Sequence, residues 1–120
     1  MSKQAIPQDI KIHTQSKTVE LIYSDKESHT LSCEYLRVYS PSAEVQGHGP
    51  GEEVLQLAKE EVNITAIEPV GNYAIKLEFD DGHNTGIYSW DTLYILGQNQ
   101  EEMWAGYLDR LEKAGHKRKE

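Results

Sequence analysis

Tyr73, Ile75, Leu77 and Phe79 alternate with Ala74, Lys76 and Glu78, and the run ends in Asp80-Asp81-Gly82-His83. A period of two is the side-chain period of a β-strand, and an Asp-Gly pair supplies the positive φ of a tight hairpin turn. Before it, Ile64-Thr65-Ala66-Ile67-Glu68-Pro69 reads as a strand joined through Val70-Gly71-Asn72, and Thr85-Gly86-Ile87-Tyr88 reads as the returning strand. The first third of the chain repeats the pattern. Asp9–Thr14, Thr18–Tyr23 and Ser28–Leu31 alternate apolar and polar residues around polar turns, which predicts a meander with one wet face.

Helical signals fill the rest. Ser32 is placed to N-cap Cys33–Tyr39, with Glu34 at the positive dipole end and Ser40-Pro41 as the stop. Ser89 is placed to cap Trp90–Leu96 with Gly97 as the stop, and Asn99 to open Gln100–Ala114, with Glu102 completing a capping box. Met103, Trp104, Tyr107, Leu108 and Leu111 recur at helical spacing and predict burial against a sheet, with Trp104 or Tyr107 able to extend into a homodimer contact. The expected class is α+β: a small mixed or antiparallel sheet, short helices, and a C-terminal amphipathic helix packed on it. The expected organisation is an N-terminal arm over 1–8, one domain over 9–114 and a basic tail over 115–120.

Charge narrows the function. Twelve Lys and Arg against twenty Asp and Glu leave −8, which disfavours a nucleic-acid or anionic-membrane binder, since these need a basic face. No apolar run is long enough to span a bilayer, and Met1-Ser-Lys-Gln-Ala-Ile-Pro7 lacks the apolar stretch of a secretory signal. A cytoplasmic protein is expected. The single cysteine, Cys33, excludes an internal disulfide and any all-cysteine metal site within one chain.

Catalytic patterns are missing. The second residue after each of the five histidines is Gln15, Leu31, Pro50, Thr85 or Arg118, so the local half of a two-His-one-carboxylate iron site is absent, and there is no His-Glu-x-x-His. A metal site scattered over Cys33, His48 and His83 is the alternative. Cys33 reads as a small buried hydrophobe, with an activated thiolate at a helix N-terminus as its alternative. Gly47-His48-Gly49-Pro50-Gly51, ahead of a helix-compatible Glu52–Lys59, suggests a phosphate cradle. The Walker spacing is absent, however, and Glu52-Glu53 would repel an anion, so the stretch reads as a connection.

One set of motifs carries a resemblance. Leu36-Arg37-Val38-Tyr39-Ser40-Pro41-Ser42-Ala43-Glu44-Val45-Gln46-Gly47-His48-Gly49, Ile67–Tyr73 and Phe79–Leu93 together resemble the DUF971 family, the domain also found at the N-terminus of gamma-butyrobetaine hydroxylase. The resemblance runs over roughly positions 7 to 110. It implies a sheet with short helices and a zinc held by three cysteines and a histidine. Here the cysteine places are taken by Ser40, Ser42 and Val45, and only His83 matches, so no cofactor is expected. The dioxygenase chemistry of such proteins sits in a separate domain, so no catalytic residue is expected either. Similar domains are appended to Mrp-type proteins that carry iron–sulfur clusters, which points by association to an iron–sulfur assembly or Mrp-type protein as partner.

The expected function is a non-catalytic binding or adaptor module. Arg37, Ser40, Ser42, His48, Asp81, His83 and Trp90 are its candidate contact residues, and Arg37 and His83 serve equally well as internal braces. Two alternatives stand beside it. One is an accessory protein holding zinc or iron through His83 with Cys33 or His48, within one chain or across a dimer. The other is a small-molecule enzyme of unknown class.

Overall fold

The computed structural model describes residues 6–24, 26–42, 45, 55–57 and 59–115. The expectations placed on residues 1–5, on His48 and its glycines, on half of Glu52–Lys59 and on the end of the basic tail lie outside these, and residues 55–57 and 59, which are described, are not helical. Strands β1 (Asp9–His13), β2 (Thr18–Ser24) and β3 (Glu27–Ser32) form one antiparallel meander in the order β1-β2-β3. Its register sets Ile10 opposite Leu21, Ile12 opposite Val19 and Val19 opposite Leu31. That puts the apolar alternates of three strands on one face, where Val19, Leu21 and Leu31 are buried.

A second antiparallel sheet holds β4 (Ile64–Val70), β5 (Ala74–Phe79) and β6 (Ile87–Ser89), with β5 in the middle. Ile75, Leu77 and Phe79 share a buried face as their alternation predicts. Tyr73 does not join them. It belongs to the turn begun by Gly71, whose φ of 56° reverses the chain, and it is 55% exposed. Ala74 is buried as well, hemmed in by Val70 and Ser89 on the flanking strands.

The turn after β5 is also wider than an Asp-Gly hairpin. Gly82 N–H donates to the Phe79 carbonyl and Phe79 N–H to the His83 carbonyl. The chain then runs on to residue 86 before β6 pairs. The cause is His83, which is buried and draws the loop over the end of the sheet.

The helices are α1 (Cys33–Val38), α2 (Trp90–Gln98) and α3 (Gln100–Lys113). Ser32 Oγ accepts from Tyr35 N–H and Ser89 Oγ from Thr92 N–H, so both predicted serine caps form. Gly97 does not end α2. A side chain there would collide with the His29 ring, so glycine lets the helix pass close over β3. Asn99 makes no side-chain cap for α3, because its amide donates back to the Ile95 carbonyl of α2.

Four tyrosine hydroxyls tie the layers together, each donating to a backbone carbonyl: Tyr35 to Leu96, Tyr88 to Leu36, Tyr39 to Met103 and Tyr107 to Gln56. Each ring contributes apolar area while its one polar atom stays satisfied. Met103 and Trp104 of α3 reach the main core, and Tyr107 and Leu111 close a smaller cluster around Val38. Among the described residues no helix is long and apolar enough to cross a membrane.

Cys33 is fully buried, its Sγ facing Asn63 Oδ1 at 3.6 Å, and burial pushes its thiol pKa up. The thiolate is the reactive form. A thiol-reactive dye is therefore expected to label the native protein at roughly a hundredth or less of the unfolded rate. Labelling at comparable rates with and without denaturant would show that Cys33 is accessible.

Candidate functional site

The residues after α1 and the loop 80–86 between β5 and β6 come together over one end of the second sheet. Ser40 Oγ shares a hydrogen bond of 2.9 Å with His83 Nε2 and accepts one from Ser42 N–H. Ser42 Oγ shares one of 2.6 Å with Thr85 Oγ1. Val45 N–H donates to the Ser42 carbonyl and its side chain is buried. This closeness needs Gly86, where any Cβ would run into Ser40 Oγ. Tyr88 lies beneath, its hydroxyl pKa raised by burial while Ser40 and the Arg37 charge pull the other way.

Beside this cluster stands a charged one. Asp81 Oδ2 accepts from Arg37 Nε at 2.9 Å and Lys59 Nζ at 2.8 Å, and Asp81 Oδ1 accepts from His83 N–H at 3.1 Å. Burial opposes ionisation of Asp81, but the Lys59 ammonium, the His83 N–H and the Arg37 guanidinium outweigh it and hold its pKa down at about 2. Because the folded pKa lies below the ordinary 3.8, the stabilisation is fully present above about pH 4 and is lost as pH falls toward 2. Solvent reaches the outer side of this carboxylate, so the expected loss is about 1 kcal/mol, less than the full shift would give. Urea titrations at pH 5 and pH 2 measure it, and the difference between wild type and Asp81→Asn isolates the Asp81 share.

The predicted site residues therefore separate. Arg37, Ser40, Ser42 and His83 are buried, at 0–7% exposure, and bonded among themselves or to Asp81. Asp81 is at the surface of the same cluster. Trp90 lies elsewhere: its indole N–H donates to the Asn72 carbonyl, at the other end of β5 from Asp81. Lys59 and Thr85 belong to the site although sequence reading passed over them. An unbroken run of small polar residues around His83 was the only signal for Thr85, and nothing near Lys59 pointed to it.

The four positions that the resemblance associates with zinc do converge. They do not fit that ion. Two hydroxyls and an isopropyl group stand where thiolates are needed, and the one imidazole nitrogen facing them is engaged by Ser40. Cys33, the chain's one thiol, faces Asn63. Among the described residues no group of three or more His, Cys, Asp or Glu is placed to hold a metal.

The fold and this cluster define a small α+β domain in which a hydroxyl–imidazole network braces a loop, at the positions where the resemblance implies metal ligands. The family model described as gamma-butyrobetaine hydroxylase-like, N-terminal, matches residues 10–94, and the chain belongs to that family. Seven chains of solved structures match, three of them as follows. Two NMR solution structures share 48% and 50% identity, cover 95% and 98% of this chain and 90% of their own, and superpose with TM-scores of 0.82 and 0.80. A third is a crystal structure of a DUF971-family protein of unknown function from Acidithiobacillus ferrooxidans, with 33% identity, 81% of this chain and 98% of that one covered, and a TM-score of 0.66. Comparison with curated proteins gives no match.

Proposed function

We propose that this chain is a non-catalytic binding module for another protein, working in the cytoplasm and without a resident metal. The observation that carries the reading is the burial of Ser40, Ser42 and His83 in hydrogen bonds to one another and of Arg37 in a hydrogen bond to Asp81. Groups used in this way shape a loop and are not held ready for a substrate. What they hold outward is Asp81 and the surface of residues 80–86; Trp90, at the other end of β5, and His48 are proposed as further contact residues. The net charge of −8 favours a protein over a nucleic acid or an anionic membrane. The domains it resembles are joined to Mrp-type iron–sulfur carriers, so an iron–sulfur assembly protein is the proposed class of partner.

Two measurements test this together. Elemental analysis of freshly purified protein is expected to find zinc and iron far below one atom per chain. A photo-cross-linker at exposed Asn84 is expected to give a discrete protein adduct in cells that is lost on Asp81→Ala. Stoichiometric metal that disappears on His83→Ala overturns the metal-free reading, and no Asp81-dependent adduct overturns the partner reading.

A further inference from the structure

Between α2, α3 and residues 39–41 lies an open groove of about 470 Å³, lined by Tyr39, Pro41, Thr92, Ile95, Leu96 and Met103. Its lining is mainly apolar, and Ile95 stands 53% exposed at its edge. The walls are held in place. Tyr39 donates to the Met103 carbonyl and receives the Arg110 guanidinium over its ring and at its hydroxyl. Ser40 and Ser42, on either side of Pro41, are tied to His83 and Thr85. A preformed apolar groove with few polar groups is the usual form of a docking site.

The charged residues of α2 and of the first turn of α3 are all acidic. From Leu77 to Asp109 the chain contains seven Asp and Glu and no Lys or Arg. Asp91 is one turn before Ile95 on the same side of α2, and Glu102 precedes Met103 on α3. Asp91, Glu101 and Glu102 are all exposed, and none forms an ion pair among the described residues. Their positions in the first turns of α2 and α3 suit the helix dipoles, yet the carboxylates still face water. Arg110 is engaged at the Tyr39 end, over the ring and at its hydroxyl.

We propose that this groove docks an amphipathic segment of a partner protein in which Lys or Arg flank one or two bulky aliphatic side chains. The proposal rests on the binding-module reading and names the partner's chemistry. Aliphatic groups would bed against Ile95, Leu96 and the adaptable thioether of Met103, while the cations face Asp91, Glu101 and Glu102 and steer the encounter.

The test titrates the isotope-labelled full chain with a short synthetic helical peptide bearing leucines on one face and lysines on the other. Its analogue with glutamate for lysine is the control. Amide shifts are expected at Tyr39, Thr92–Leu96 and Met103, with affinity falling about tenfold for Ile95→Ser, a loss of about 1.4 kcal/mol, and falling again as salt is raised. Ile95 is exposed, so the variant keeps its fold, which the same spectra verify. Shifts centred elsewhere, undiminished binding by Ile95→Ser, or equal binding of the glutamate peptide overturns the proposal. If the groove is silent while the Asn84 adduct forms, the groove falls and the module reading stands. If both are silent, both fall.

Discussion

Asp81→Ala is expected to lower the unfolding free energy by about 3 kcal/mol, because it strands a buried guanidinium. Arg37 is 7% exposed, its Nε is held by Asp81 Oδ2, and its Nη1 has no hydrogen-bond partner among the described residues. Lys59 shares the same oxygen but is itself partly exposed and can turn to water. Three variants separate the causes. Asp81→Asn removes the charge but keeps an oxygen for His83 N–H, so it is expected to cost less than alanine. Arg37→Met combined with Asp81→Ala removes both charges and is expected to regain much of the loss, since a buried pair is far cheaper to delete than to halve. Urea midpoints for the three settle it. A double variant no more stable than Asp81→Ala would mean that the uncompensated charge is not the source of the cost.

The second large effect belongs to the sheet. Phe79→Ala is expected to cost about 3–5 kcal/mol, the range for emptying an aromatic site in a packed core. Phe79 is 4% exposed, pairs with Ile64 at the end of β5, and lies 5.9 Å from the His83 ring, centroid to centroid. The cavity would open directly under the Ser40–His83 hydrogen bond, so the loop should loosen along with the core. Hydrogen exchange at residues 80–86 is expected to speed up more than exchange in β1 and β2. A near-neutral substitution would place Phe79 on the solvent face, against the register described here.

Strand and helix identities were legible in the chain because they are local. Alternation at Ile75, Leu77 and Phe79, and the serines ahead of Cys33 and Trp90, act over a few residues through pleat geometry and unsatisfied N–H groups. Where local signals misled, a distant partner had intervened. Gly97 reads as a helix stop until the His29 ring is laid against it, and Asp81-Gly82 reads as a tight hairpin until His83 is pulled toward Ser40. The departure from a zinc-binding donor set at Ser40, Ser42 and Val45 was visible in residue types alone, since coordination chemistry does not depend on the fold.

What only the tertiary structure decided is which polar residues face inward. Arg37 and Trp90 both read as candidate contact residues. Packing buries the first beside Asp81 and sets the second beside Asn72, with the length of β5 between them. Nor did the acidic stretch from Leu77 to Asp109 mean anything until α2 and α3 enclosed an apolar groove within it. Local sequence determines the backbone's repeating hydrogen bonds. Burial and the charge pairing of this site join segments far apart in the chain, 44 positions for Arg37 and Asp81, and exist only once the chain has closed on itself.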